Sequence, residues 1–252
     1  MKTEKMNIYG LLGRNISYSF SKEYFTRKFS ESGLTDHIYM NFDLPEISEL
    51  NLVLNRYKGK LKGFNITIPY KQEIFQFLDE TDQVAADIGA VNVVKIIDNS
   101  GLKGFNTDSY GFENSIKPLL RSQHKKALIL GTGGASKAVS YVLGKLGIEY
   151  LYVSRRSDQS PNFITYGDLS ETLLKEYLLV INATPVGTYP KIDKAPDMPY
   201  KYLTSNHLLY DLIYNPPLTA FLKQGKSVGA TVKNGLEMLE LQAEKAWEIW
   251  NS

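Results

Sequence analysis

Lys126-Ala-Leu-Ile-Leu-Gly-Thr-Gly-Gly-Ala-Ser-Lys-Ala138 is the stretch that decides the fold. The apolar run over 127–130 is long enough for a buried strand, and it breaks at Gly131-Thr-Gly-Gly134. Apolar residues then recur at 138, 139, 142, 143 and 146, the spacing of a helix face. A strand, a glycine turn and a helix in that order form a phosphate-binding unit. The glycines let backbone approach the ligand, and the free N–H groups and positive end of the helix hold negative charge. A tight strand-to-helix turn also uses glycine for its backbone freedom alone. The pattern departs from G-x-G-x-x-G at Ser136, so the flanking sequence must decide between the two readings.

The flanks repeat the theme. Strand-like runs lie at 7–13, 37–44, 61–68, 91–97 and 102–106, then at 150–154, 178–182, 208–214 and 228–232. Between them come helical patterns over 22–32, after Pro45, after Pro69-Tyr-Lys71, over 82–88 and from Ser109 toward Leu120. Strands alternating with helices predict an α/β protein with a largely parallel sheet. Asn99-Ser-Gly101 predicts a hairpin turn and the one place of antiparallel pairing. The order after the glycine turn is that of a doubly wound Rossmann domain. The tail over 236–250 is amphipathic and ends in Trp247 and Trp250, too much apolar surface for a free end, so it must dock. No internal repeat, low-complexity run or Pro/Ser-rich linker is visible.

Composition narrows the chemistry. The 252 residues suffice for one large or two modest domains. Twenty-nine Lys and Arg against 27 Asp and Glu leave a formal charge of +2, which argues against nucleic acid as the principal partner. Seventeen tyrosines and 11 phenylalanines read as packing, since no basic stripe runs among them. The absence of cysteine removes disulfides, thiolate metal sites and a Cys nucleophile. His37, His124 and His207 have no metal-ligand spacing; His124 is expected in solvent within Ser122-Gln-His-Lys-Lys126, and the other two in structural roles. No metal is expected, nor a Ser-His-Asp hydrolase. The N-terminus is short and charged with no apolar stretch behind it, and no window approaches a membrane span. The expected location is the cytoplasm.

A nicotinamide-binding unit places a carboxylate about 20 residues past the glycines to bind the ribose 2′-hydroxyl. This chain has Ser154-Arg155-Arg156-Ser157 there instead. Two guanidiniums suit a 2′-phosphate, which Arg grips with a fork of donors, so the sequence favours NADP over NAD. Taken alone, the two arginines also fit solvated loop charges.

Hydride transfer to a carbonyl needs a proton donor beside the oxygen; without a suitable His or Cys that leaves Lys, Tyr or a carboxylate. Gly63-Phe-Asn-Ile-Thr-Ile-Pro-Tyr-Lys71 and Gly104-Phe-Asn-Thr-Asp-Ser-Tyr-Gly111 each put polar side chains just past a strand end. Lys71 and Asp108 are candidates for an acid/base pair, though spacing alone does not pair them.

These stretches resemble the shikimate dehydrogenases, and the likeness runs from about residue 8 to residue 245. Gly63 to Lys71 looks like the family's N-x-T-x-P-x-K motif, Gly89-Ala-Val-Asn92 its G-A-x-N, and Gly104 to Gly111 its G-x-N-T-D-x-x-G. The glycine turn, Asn182-Ala-Thr-Pro-Val-Gly187, Tyr210-Asp-Leu-Ile-Tyr-Asn-Pro216 and Gly235-Leu-Glu-Met-Leu-Glu-Leu-Gln242 follow in the family's order. The resemblance implies reversible reduction of 3-dehydroshikimate to shikimate with NADPH, a step toward aromatic amino acids. It puts Lys71 on the catalytic lysine and Asp108 on its partner. Ser19 and Ser21 fall on the serines that hold the substrate carboxylate, with Tyr214 nearby, and Thr67, Asn92 and Gln242 on groups that bind ring hydroxyls. Gly131, Thr132, Gly133, Gly134, Ala135, Ser154, Arg155, Arg156, Thr184, Leu212, Gly235 and Met238 fall around the cofactor.

The implied organisation is a substrate-binding and catalytic domain over 1–108 with 236–252, and an NADP-binding domain over 109–235. The C-terminal helix returns to the first domain, and the assembly is a monomer or homodimer. The chain departs from the family at Asn15, Tyr18 and Lys22, where Pro, His and Pro are usual, and at Ser154 and Arg156, where Asn and Thr are usual. The alternatives are a quinate/shikimate dehydrogenase with relaxed substrate or NAD use, and a non-catalytic metabolite-sensing relative. Lys71 and Asp108, both present, weigh against the second.

Overall fold

The computed structural model describes residues 6–16, 20–98, 101–156 and 160–252. The chain divides into two compact units, Met1–Thr107 with Ala243–Ser252, and Asp108–Gln242. These bounds put Asp108 and residues 236–242 with the second unit, because helix α4 opens at Asp108 and Met238 packs with Phe112 and Tyr210.

In the first unit, β1 (Asn7–Gly13) is followed by α1 (Phe20–Glu31), β2 (His37–Asp43), α2 (Leu50–Arg56), β3 (Leu61–Ile66) and the two-residue β4 (Glu80–Thr81). Then come α3 (Gln83–Ile88), β5 (Val93–Ile97) and β6 (Gly101–Phe105). The sheet order is β2-β1-β3-β5-β6-β4. β5 alone runs against its neighbours, antiparallel to β6 and to β3. The expectation of a single antiparallel pair is therefore corrected to two: a reversed strand placed inside a sheet meets both neighbours backwards. Pro69-Tyr-Lys71 does not open an α-helix either. Pro69 brings no N–H, and Tyr70 is buried with its hydroxyl donating to the Leu44 carbonyl at 2.7 Å, so the segment turns into a short 3-10 helix, Glu73–Phe77. Helix α3 has clean ends, with the Asp82 carboxylate accepting from the Val84 N–H and Gly89 closing it in the left-handed region.

The second unit holds α4 (Asp108–Ile116), β7 (Lys126–Leu130), α5 (Gly134–Lys145), β8 (Glu149–Ser154), β9 (Phe163–Thr165), α6 (Glu171–Glu176) and β10 (Leu179–Asn182). β11 (Leu208–Asp211), α7 (Ala220–Ser227), β12 (Thr231–Lys233) and α8 (Leu236–Asn251) complete the chain. The strand expected over 228–232 starts at Thr231, because α7 extends to Ser227 and Gly229, at φ 78°, makes the turn. All pairings in the order β12-β11-β10-β7-β8-β9 are parallel. Numbered from β7, that is the 3-2-1-4-5-6 order of a dinucleotide-binding fold read from the β9 edge. Two apolar clusters cover its faces, one around Phe112, Val142 and Tyr210, the other around Leu128, Leu209 and Phe221.

His124 is buried, not solvated. Its Nδ1 accepts from the Arg121 N–H at 3.0 Å and its Nε2–H donates to the Asn206 carbonyl at 3.2 Å. His207 repeats the device with the Thr204 N–H at 3.0 Å and the Leu174 carbonyl at 2.9 Å. Burial holds both imidazoles below their ordinary pKa. His37 stacks on Tyr9 and pairs with Asp36.

From Ala243 onward α8 belongs to the first unit, and its tryptophans dock there. Trp250 lies 5.0 Å from the Tyr9 ring and 5.4 Å from Phe25, and its indole N–H donates to the Val94 carbonyl at 3.0 Å. Gly63 is what makes room: a Cβ there would collide with the indole. Trp247 packs on Tyr9, Phe29 and His37, and Lys28 pairs with Glu244 at 2.7 Å. Removing a buried indole costs about 3–5 kcal/mol. Trp250→Ala should therefore lower the free energy of unfolding, measured by denaturant titration, by a corresponding amount, whereas replacement of the exposed Leu52 by Ala should leave it within about 0.5 kcal/mol.

Candidate functional site

Reversal of β5 gathers the polar residues of the first unit at one sheet edge. Thr67 follows the end of β3, Asn92 precedes the start of β5, and Thr107 lies just past the end of β6. Because β5 runs backwards, its start lies beside those two ends. The backbone closes the gap, with the Ile66 N–H donating to the Asn92 carbonyl at 2.8 Å and the Asn92 N–H to Phe105 at 3.0 Å. The Asn92 side chain joins Thr107 in both directions, accepting from its N–H at 2.7 Å and donating to its hydroxyl at 3.1 Å. Asn106 donates to the Ala90 carbonyl at 2.8 Å, and the Val91 N–H donates to the Lys71 carbonyl at 2.8 Å. Residues 90–92 are thus held between Lys71 and Thr107, and Asp108 is the next residue, buried at the first turn of α4.

Ser21 lies in the first turn of α1, where its hydroxyl is hydrogen-bonded to the Tyr39 phenol. That phenol also donates to the Asn65 side-chain amide oxygen, Oδ1, at 2.7 Å, and burial pushes its pKa well up. Tyr39 and Asn65 were not singled out in the sequence. Asn65 sits in the N-x-T-x-P-x-K stretch, so its place was readable; Tyr39 carried no signal, since its partners come from β3 and α1. Ser19 and Tyr18 lie outside the described residues. Asn15 takes a left-handed φ of 57°, with its N–H on the Asp43 carboxylate at 2.8 Å. A proline at that position could adopt neither.

In the second unit the candidates sit at the carboxyl ends of the strands: Gly131 after β7, Ser154 on β8, Thr184 after β10, Leu212 after β11 and Gly235 after β12. Backbone bonds continue the ladder past those ends, from Gly131 to Val153, Ala183 to Leu130, Leu212 to Asn182, and Gly235 to Ile213, all at 2.9 to 3.0 Å. Gly131 has φ 102° and a Cβ there would lie 2.8 Å from the Thr184 methyl, while a Cβ on Gly235 would collide with the Leu212 carbonyl. Helix α5 begins at Gly134, and its N-cap Gly133 brings no side chain, so no capping side chain competes with an anion for the first N–H groups. Thr132, Ser154, Arg155 and Arg156 line an open hollow of about 550 Å³ beside it. Met238 is buried in the core with Phe112 and Tyr210. Tyr214 is half-buried, and Gln242, on α8, is buried with its amide donating to the Leu239 carbonyl at 3.1 Å.

Asp211, also not singled out beforehand, is a fully buried carboxylate at the end of β11. It accepts from the Thr219 hydroxyl at 2.6 Å and from the Ile213 N–H and the Asn182 amide at 3.0 Å. Among the described residues no cluster of His, Cys, Asp and Glu could hold a metal, and no helix is long and apolar enough to cross a membrane.

A six-stranded parallel sheet of this order, with a glycine turn opening an uncapped helix, defines a dinucleotide-binding α/β protein; the second unit is of that class. The first unit narrows it. Residues 11–94 match the family model for the shikimate dehydrogenase substrate binding domain. An NADP(+) shikimate dehydrogenase of Clostridium beijerinckii is 39% identical over 256 residues, 97% of this chain and 92% of that one. The crystal structure of shikimate dehydrogenase from Aquifex aeolicus superimposes with a TM-score of 0.86 at 32% identity, covering 100% of this chain and 94% of that one. Shikimate 5-dehydrogenase from Thermus thermophilus, solved with NADP(H) and shikimate, gives a TM-score of 0.82 at 29% identity over 97% of this chain and 93% of that one. The chain belongs to the shikimate dehydrogenase family.

Deleting the Tyr39 hydroxyl would take its donor from the buried Asn65 side-chain Oδ1 and cost about 1–3 kcal/mol. Tyr39→Phe should show that loss in denaturant unfolding; an unchanged midpoint would mean that Asn65 finds another donor.

Proposed function

We propose that the chain catalyses the reversible, NADPH-dependent reduction of 3-dehydroshikimate to shikimate, a step toward aromatic amino acids. The observation that carries this reading is the lacing of Lys71, Asn92 and Thr107 at one sheet edge, with Asp108 following directly, in a chain kin to NADP(+) shikimate dehydrogenases over nearly its whole length. A small polyhydroxy acid offers a carboxylate and several hydroxyls, and a site that pairs each of them rejects analogues lacking one.

In the proposed arrangement Ser19 and Ser21, with Tyr214 as a further candidate, hold the substrate carboxylate, and Tyr39 orients Ser21. Thr67, Asn92 and Gln242 take the ring hydroxyls. Asp108 holds a substrate hydroxyl and the Lys71 ammonium together. NADPH, when bound, supplies the hydride to the carbonyl carbon. Lys71 donates the proton to the carbonyl oxygen, and in the reverse direction accepts it from the alcohol.

The residues present fit the dinucleotide. Gly131, Thr132, Gly133, Gly134 and Ala135 with the uncapped start of α5 suit its diphosphate, and no side chain fills the space at Gly133. Ser154, Arg155 and Arg156 border the open hollow where a 2′-phosphate would be gripped. Thr184, Leu212, Gly235 and Met238 complete the proposed surroundings.

Lys71→Ala should lower turnover by about 10²–10⁴-fold while shikimate still binds measurably in an equilibrium titration. Near-normal turnover would remove Lys71 from the mechanism. Arg155→Ala should raise the KM for NADP+ far more than that for NAD+, and an equal loss for both would reject the 2′-phosphate assignment.

A further inference from the structure

Asp211 is a carboxylate in a place where charge is expensive. It is fully buried, and its hydrogen-bond donors, Thr219, Ile213 and Asn182, are all neutral. Among the described residues, the Tyr200 phenol on a 3-10 helix, Tyr200–Tyr202, feels its charge, and burial keeps that phenol protonated. A buried carboxylate with no cation beside it costs stability.

The three donors lead to two loops. Asn182 shapes the first, accepting from the Thr184 N–H at 3.0 Å and its hydroxyl at 2.6 Å, and donating to the Val186 carbonyl at 3.3 Å. The Val186 N–H donates in turn to the Thr184 hydroxyl at 3.2 Å. Ile213 and Thr219 belong to the second, where the Thr219 hydroxyl also caps α7 by accepting from the Leu222 N–H at 3.3 Å. Leu212 and Tyr214 flank Ile213, whose carbonyl receives the Gly235 N–H. The Asp211 carboxylate bonds to both loops, through Asn182 on one side and Ile213 and Thr219 on the other.

We propose that Asp211 is a positioning residue for the cofactor: its charged carboxylate ties the loop carrying Thr184 to the turn carrying Leu212 and Tyr214, and so sets the floor of the dinucleotide site. This rests on the reading of Thr184 and Leu212 as cofactor neighbours. A charged acceptor strengthens all three bonds at once, and protonation withdraws acceptor capacity from one of them.

Burial pushes the Asp211 carboxyl up to about 6, against the pull of its three donors. The sign for folding follows. With the folded value above the ordinary carboxylate value, the stability this group contributes is fully present below that ordinary value. It is lost as the pH rises through about 6. Folding thus holds the proton on this carboxyl up to about pH 6, whereas cofactor binding, on this proposal, requires the anion.

The test is the NADP+ dissociation constant measured by calorimetry from pH 5 to 8 for the wild type, Thr219→Val, Thr219→Ser and Asp211→Asn. The 2′-phosphate of the ligand also titrates near pH 6, so the comparison among variants carries the result. Thr219→Val removes a donor from the carboxylate, which raises its pKa, and should move the fall in affinity to higher pH by about half a pH unit or more. Thr219→Ser, keeping the hydroxyl, should retain the wild-type profile. Asp211→Asn should bind NADP+ about tenfold or more weakly at pH 7.5; should it fail to fold, the Thr219 pair decides. A Thr219→Val profile superimposed on the wild type, or wild-type affinity in Asp211→Asn, would overturn the proposal. Failure of the wild-type protein to bind NADP+ at any pH would instead overturn the cofactor reading itself.

Discussion

Strand β5 enters its sheet backwards, and the candidate catalytic edge depends on that reversal. A strand running with its neighbours would carry Asn92 to the opposite edge, some five residues of extended chain from Thr67 and Thr107. Reversed, it places Gly89-Ala-Val-Asn92 between the turn that holds Lys71 and the exit of β6 that leads to Asp108. The hydrogen bonds from Val91 to Lys71 and between Asn92 and Thr107 then fix three separate segments as one surface. Positions set by backbone ladders suit a site in which a proton must pass over a short distance.

The second unit solves a different problem with the same means. Its parallel strands all end on one side, and backbone bonds run on past the ends to tie each loop to the next. The glycines at 131 and 235 permit the close approach, and the Asn182–Asp211–Thr219 cluster stiffens the loops that follow β10 and β11. Helix α5 starts without a side-chain cap, and Arg155 and Arg156 line the open hollow shared with Thr132 and Ser154.

Most of the architecture was legible because it is written locally. Apolar runs broken by Gly, Pro and Asn mark the strands, and the pattern over 236–250 marked a helix that had to dock; Trp250 on Gly63 and Val94 shows where. What escaped is decided by residues far apart in the chain. β4 is two residues long and exists by pairing with β6. The antiparallel pairing of β3 with β5 depends on sheet order, which no local run encodes. His124 lies in a polar run, yet its burial is set by Asn206, 82 residues away. Tyr39 and Asp211 look like ordinary strand residues until α1, β3, β10 and the cap of α7 close around them. For the cofactor, the residues at 154–156 raise the expectation of NADP from the side chains themselves, and the relatives are NADP(+) enzymes.

The reaction proposed for this chain is hydride transfer between NADP and shikimate. Absorbance at the reduced-nicotinamide band tests it most directly, with shikimate and quinate each crossed against NADP+ and NAD+. Shikimate should reduce NADP+ rapidly, with the other three combinations far slower. No absorbance change with shikimate and NADP+ would contradict it.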